Sequence, residues 1–379
     1  MEILLKGSKS GKTYSILSPI WRGEKDEFLD LEISHGFCKE NIRPNLPGFW
    51  RYIDALPIDN EGDILSLGEQ ISPIISLKMP NGFEVKIKCD FQFPTGSYKD
   101  RGAAILLSKI KSWGVSQIVQ DSSGNAGVSV AAYAAHAGIN CQIFIPSDTS
   151  PGKIAQIAAY GAKITKVEGG RKSTASKAFE EAKNSFYASH CYHPLFLHGT
   201  KTFAYEIWEQ SNGHMPDTVV LPAGNGTLLL GAYIGFNELF QSGIITKIPK
   251  LIGVQSELCA PLNAIWFEPN TNLDEYQAKP SLAEGISIPN PIRAQQMVDA
   301  IRTTGGSIVT VTEKEILQTW KFLCSKGFYV EPTSAATIAG ATNYANSLNQ
   351  TENILSVFTG TGLKSTEKIL QILSKQEAE

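Results

Sequence analysis

Gln117-Ile118-Val119-Gln120-Asp121-Ser122-Ser123-Gly124-Asn125-Ala126-Gly127, running on into Val128-Ser129-Val130-Ala131-Ala132, reads as a strand, a tight turn and a helix in succession. Ile118 and Val119 suit a buried strand, Ser-Ser-Gly-Asn is turn chemistry, and the small apolar residues after it carry a helix. The same succession returns twice. Val219–Leu221 enters Ala223-Gly224-Asn225-Gly226-Thr227, and Leu355–Phe358 enters Thr359-Gly360-Thr361-Gly362; a helix follows each. At such a corner glycine permits the turn, and the unpaired N–H groups of the helix start converge on one point. The helix dipole adds to them, so each corner is a ready site for an anion.

Outward from the first corner the alternation is regular. Strands are predicted at Val85–Lys88, Gln117–Gln120, Cys141–Ile145 and Lys163–Val167, with helices at Asp100–Trp113, Asn125–Ala137, Pro151–Tyr160 and Ser173–Ser185. A second series has strands at Thr218–Leu221, Leu251–Gln255, Ser307–Val311 and Ile354–Phe358. Its helices are Thr200–Gln210, Gly226–Gln241, Ile292–Thr303, Glu313–Lys326 and Thr333–Asn346. Strand–helix alternation of this spacing predicts an α/β fold of two lobes, each a parallel or mixed sheet flanked by helices. Residues 1–60 differ: Pro44, Pro47 and Pro57 break any long element, and only short β-like runs stand out. The tail Ser374–Glu379 is polar and predicted to fray.

The 379 residues suffice for two hydrophobic cores, and 42% hydrophobic with 19% charged residues is a globular balance. A net charge of −3 leaves no basic excess for gripping nucleic acid. Six scattered cysteines form no Cys-x-x-Cys, so neither a disulfide framework nor a metal site is expected. No apolar run is long enough to span a membrane, and Met1-Glu2 does not open a signal peptide, which predicts a cytoplasmic protein. Gly7-Ser8-Lys9-Ser10-Gly11-Lys12-Thr13 imitates a nucleotide P-loop but has three residues between its glycines instead of four.

One lysine stands out. Pro94-Thr95-Gly96-Ser97-Tyr98-Lys99-Asp100-Arg101-Gly102 places Lys99 at the start of a helix, where the dipole opposes a positive charge, a setting suited to an amine nucleophile. A nucleophilic lysine together with several anion-binding corners suggests an aldehyde cofactor with a phosphate tail, pyridoxal 5'-phosphate. Pro94–Gly102, Ser122–Gly127, Gly224–Thr227, Glu331-Pro332-Thr333-Ser334-Ala335-Ala336 and Thr359-Gly360-Thr361-Gly362-Leu363-Lys364 resemble, in order, the motifs of fold-type II pyridoxal-phosphate enzymes. The resemblance is to the threonine synthase branch and covers residues 62–370.

The resemblance implies a Schiff base on Lys99, which also moves the substrate's α-proton. It implies that Asn125 bonds the cofactor's ring hydroxyl, that Gly224, Asn225, Gly226 and Thr227 cradle its phosphate, and that Thr359 faces its ring nitrogen. Ser122, Ser123, Gly124 and Asn125 would receive the substrate carboxylate. It divides the chain into an N-terminal extension (1–60), a small domain (91–199) and a large cofactor-binding domain (61–90 and 200–379). It further implies a homodimer acting on a small-molecule amino-acid substrate by β- or γ-elimination or replacement at a side-chain leaving group. True threonine synthase is one alternative; a serine/threonine dehydratase-type or cysteine/cysteate synthase-type enzyme is another.

The chain departs from the branch where that branch grips a substrate phosphate: the positions concerned hold Ala126, Cys191 and Phe196. Nearby, His190 and His193 are expected to line the side-chain pocket, binding the leaving group or acting as acid–base groups. Leu5–Tyr14 is similar to a small zinc ribbon with Gly7 and Ser10 where cysteines would stand, so no metal is expected. Leu228 replaces an asparagine of the phosphate loop, and Gly68–Pro73 loosens another family turn.

Overall fold

The computed structural model describes residues 3–33, 36–149 and 151–376. Strands β1 (Ile3–Gly7), β2 (Thr13–Ser15) and β3 (Leu29–Ile33) form an antiparallel sheet with β1 in the centre. β4 (Ile74–Lys78) and β5 (Glu84–Lys88) pair antiparallel. After helix α1 (Lys99–Ser112) come β6 (Gln117–Gln120), α2 (Asn125–Ala137), β7 (Asn140–Pro146), α3 (Pro151–Ala159), β8 (Lys163–Val167), α4 (Gly170–Glu181) and β9 (Phe186–Tyr187). Helices α5 (Leu195–Thr200) and α6 (Thr202–Gln210) lead to β10 (Thr218–Pro222), α7 (Thr227–Gln241), β11 (Lys250–Ser256), α8 (Pro261–Phe267) and α9 (Ala294–Thr303). β12 (Ser307–Val311), α10 (Glu313–Ser325), α11 (Pro332–Asn346), β13 (Ile354–Val357) and α12 (Thr366–Gln376) complete the chain.

The α/β architecture predicted from the alternation is the one observed. A six-stranded sheet has the order β12-β11-β10-β13-β5-β4, parallel except at the β4 edge, and a parallel four-stranded sheet has the order β8-β7-β6-β9. All of β10 and β13 is buried. Each large apolar side chain there, such as Val219 or Leu221, contributes about 1.5–3 kcal/mol. The small residues of α11 let it lie against the sheet: a Cβ on Gly340 would meet Val254 at 2.4 Å.

The edge strand β4 escapes the sequence pattern because Pro73 precedes it and its outward residues include Ser76 and Lys78, the marks of a guarded sheet edge. The helix expected at Thr200–Gln210 begins earlier and is divided in two. The Thr200 hydroxyl donates to the Thr227 carbonyl (2.7 Å), tying the junction to α7, and the Thr202 hydroxyl donates to the Gly199 carbonyl (2.7 Å), competing with the backbone ladder there.

At the N-terminus the turn likened to a zinc ribbon is closed by a carboxylate. Glu27 accepts the Lys9 and Ser10 N–H groups (2.5 and 2.8 Å) and the Ser10 hydroxyl (2.5 Å). A Cβ on Gly7 would fall 2.1 Å from Glu27 Oε1, so a side chain there would require the carboxylate to shift. No group of three or more His, Cys, Asp or Glu among the described residues could hold a metal. Among them, too, no helix is long and apolar enough to cross a membrane. Helix α12 continues to Gln376; residues 377–379 of the polar tail lie outside the described residues.

Candidate active site

Lys99 is the first residue of α1, and the residues after it fix that helix end. Asp100, fully buried, accepts the Thr95 N–H (2.7 Å), the Thr95 hydroxyl (2.5 Å) and the Ser129 hydroxyl (2.6 Å), tying the preceding turn to α2. Burial pushes its carboxyl above the ordinary value. Arg101 spans two carboxylates with bidentate pairs, to Asp90 (2.8 and 2.9 Å) and to Glu206 (2.7 and 2.8 Å). Lys88 adds a 2.6 Å contact to Glu206, and all four charged side chains are fully buried. Two positive and two negative charges therefore balance in the interior and clamp α1 between β5 and α6. A Cβ on Gly102 would strike the Phe196 ring at 2.2 Å, which lets α1 and α5 approach closely.

A cavity of about 1110 Å³ opens beside Lys99, walled by the Ser122–Asn125 corner, the Gly224–Gly226 corner, His190 and Glu331. Lys99 Nζ, in a residue only 8% exposed, donates to Thr227 Oγ1 at 2.6 Å, and the Tyr98 hydroxyl lies 3.0 Å from the same oxygen. Gly226 sits at φ +82° as the residue before α7, and a Cβ there would meet Met297 Sδ at 2.4 Å. The Ser122 corner is as tight: a Cβ on Gly127 would fall 1.8 Å from the Ser122 carbonyl oxygen. Across the cavity the Glu331 carboxylate accepts Asn125 Nδ2 (2.9 Å) and the Thr359 hydroxyl (2.6 Å). Ser334 Oγ lies 2.9 Å from Thr359 Oγ1 and accepts the Thr359 N–H at 2.8 Å.

Of the residues singled out in sequence, Lys99, Ser122, Ser123, Gly124, Asn125, Gly224, Asn225, Gly226 and His190 meet on this wall. Thr227 is one hydrogen bond away, through Lys99. Thr359 is fully buried off the wall and connects to it through Glu331. His190 Nε2 lies 3.0 Å from Asn225 Nδ2, and its Nδ1 lies 3.4 Å from Gln120 Nε2. Burial, then the nearby Lys99 and Arg171 charges, hold its imidazole well below the usual range, so it is neutral.

The expectation for His193 is corrected. It is off the cavity wall, fully buried between Trp113 and Phe186, with Nε2 3.2 Å from the Ile20 carbonyl and Nδ1 accepting the Leu195 N–H at 3.3 Å. It is committed to packing the turn before α5. Of the three positions that differ from the branch, Ala126 is on the wall, while Cys191 and Phe196 are not.

Sequence reasoning assigned no role to Tyr98, Arg171, Glu331 or Lys364, all on the wall. Glu331 and Lys364 lay inside quoted motifs, and that was the available signal. Burial pushes the Lys364 amine down to about 8, and its Nζ is 3.5 Å from Ser97 Oγ.

A buried amine opposite two glycine corners with helix-start N–H donors fits an aldehyde cofactor bearing a phosphate, and the cavity has room for it and a small substrate. Residues 65–360 match the family described as "Pyridoxal-phosphate dependent enzyme". The chain belongs to that family.

This pyridoxal-phosphate dependent enzyme is 33% identical over 377 residues to threonine synthase of Methanocaldococcus jannaschii, covering 96% of this chain and 93% of that one. Threonine synthase of Methanosarcina acetivorans is 29% identical, with 97% and 94% covered. Among solved structures, maize serine racemase superposes with a TM-score of 0.66 at 18% identity, covering 82% of this chain and 94% of that one, a likeness of fold. The enzyme is thus a threonine synthase-like lyase of fold-type II that uses pyridoxal phosphate.

Proposed function

We propose that the enzyme eliminates or replaces a leaving group on the side chain of a small amino acid, with Lys99 carrying the cofactor and moving the proton at the substrate's α-carbon. The observation that carries this reading is the position of Lys99 Nζ: buried on the cavity wall, 2.6 Å from the hydroxyl that begins α7 and flanked by the Ser122–Asn125 corner. The cofactor, when bound, supplies a conjugated ring that takes up electron density from the α-carbon. Gly224, Asn225, Gly226 and Thr227 would hold its phosphate on the N–H groups at the start of α7, and Asn125 would hold the ring hydroxyl. Thr359 would serve the ring nitrogen, with its own hydroxyl held by Glu331.

The N–H groups of Ser122–Asn125 at the start of α2 would take the substrate carboxylate. Neutral His190 steadies Asn225 on the cavity wall. The setting we propose is a cytoplasmic homodimer.

The second reading is threonine synthase itself, favoured by 33% identity across 96% of the chain. It needs ligands for a substrate phosphate, and Ala126, Cys191 and Phe196 supply none. The test is to mix holoenzyme with O-phosphohomoserine, O-phosphoserine, serine and threonine and follow the cofactor's absorbance and the products. Lys99→Ala is expected to lose the visible absorbance and to lower turnover by about a thousandfold or more. Normal turnover in that variant ends the proposal, and threonine formation with phosphate release selects the second reading.

A further inference from the structure

Arg171 enters the cavity from a side that the family motifs do not cover. It is the second residue of α4, behind Gly169 and Gly170 (φ +91° and +77°), whose left-handed conformations turn the chain from β8 into the helix. Its side chain lines the same cavity as Lys99 and His190. Among the described residues it makes no ion pair and no hydrogen bond. The other cations on the wall are engaged: Lys99 with Thr227, Lys364 with Ser97, and Lys368 with Glu284 at 3.8 Å.

The carboxylates near it are accounted for as well. Glu331 holds Asn125 and Thr359, and neither Asp148 on the wall nor Asp121 behind it pairs with Arg171. Asp121 is within its electrostatic reach and has a buried Oδ1 without a hydrogen-bond partner, yet no ion pair forms. The guanidinium's charge is also felt at the His190 imidazole and the Cys191 thiol. It lines that cavity together with His190 and with Ala126, which contributes only a methyl group, while Cys191 and Phe196 are off the wall. A guanidinium has a fixed fork of donors that fits two oxygens at once, so an unpaired one facing a cavity is shaped for an oxyanion.

We propose that Arg171 selects the substrate's side chain by pairing with a compact oxyanion (phosphate, sulfonate or carboxylate) carried on it. The inference rests on the reading that this cavity takes an amino acid, and it names the class of side chain. Arg171 is a specificity residue and is not needed for cofactor attachment.

Titration calorimetry tests this, with KM taken in place of the binding constant for any ligand that turns over. Holoenzyme, Arg171→Ala and Arg171→Lys are titrated with O-phospho-L-homoserine, O-phospho-L-serine, L-cysteate and L-aspartate, and with the neutral L-homoserine and L-serine. The wild type is expected to prefer at least one anionic amino acid over its neutral counterpart. Arg171→Ala is expected to weaken that ligand by about tenfold or more, the size of a charged hydrogen bond, while Arg171→Lys recovers part of it. Neutral ligands and the cofactor's absorbance should not change. A wild type without anionic preference, or a preference intact in Arg171→Ala, overturns the proposal. If the Lys99-dependent absorbance is present while the preference is absent, Arg171 is wrongly assigned and the lyase reading stands. If the absorbance never forms but the preference is lost in Arg171→Ala, the reverse holds.

Discussion

The two faces of the cavity are built on different principles. On the cofactor face nearly every polar group already has a protein partner: Lys99 has Thr227, Asn125 and Thr359 share Glu331, and Ser334 secures Thr359 twice. The rest of the wall includes a methyl group (Ala126), a neutral imidazole (His190) and the Arg171 guanidinium, which has no ion pair or hydrogen bond among the described residues. The first is preorganised for a ligand of fixed shape. The second holds a guanidinium with no partner among the described residues, so on the proposed reading the chemistry is set by one wall and the substrate by the other.

That contrast breaks most severely at the foundation of the cofactor face. Arg101 joins α1 to Asp90 and Glu206, so Arg101→Ala leaves two buried carboxylates with Lys88 as the one cation of the cluster and the Ser72 hydroxyl on Asp90. Removing one partner from such a cluster costs about 3–5 kcal/mol. Denaturant unfolding should show that loss, whereas Arg171→Ala on the opposite face should leave the midpoint unchanged within error.

A finer probe of the same wall is Glu331→Gln. The carboxylate accepts at both oxygens; an amide can accept at only one and sets an N–H against a donor at the other. The expected result is cofactor affinity reduced about tenfold, the usual consequence of one unsatisfied buried group, measured by fluorescence titration of the apoenzyme. Equal affinity would mean that the Thr359–Glu331–Asn125 link does not shape the cofactor face.

The unequal legibility of the two faces has the same origin. Glycine corners and a lysine at a helix start leave a local pattern, because the backbone there has few ways to make the turn. The β10 and β13 strands were legible for a similar reason: buried on both sides, they are continuous apolar runs. Arg171 leaves no such trace. It opens a half-buried helix, and the packing of that helix against β7 and β8 brings it to the cavity. Glu331 lay within a recognisable motif, but its role depends on Asn125 and Thr359, 206 and 28 residues away.

His190 and His193 sharpen the comparison with the smallest expected effects. Three residues apart before α5, they look equivalent in sequence, yet one faces the cavity and the other the interior. His190→Gln disturbs the hold on Asn225 and should weaken cofactor retention and turnover by at most about tenfold. His193→Gln should change neither and should show itself in stability against pH. Burial pushes the His193 imidazole from its ordinary 6.5 down to about 3, partly offset by the Ile20 carbonyl. Between those values the unfolded chain binds a proton that the folded chain does not. Folding stability from this group is therefore complete above pH 6.5 and is lost as the pH falls toward 3. Urea midpoints across that window should decline less steeply in His193→Gln, by one proton's worth of slope. A His193 variant with the wild-type slope but impaired turnover would move this residue from the interior to the substrate face.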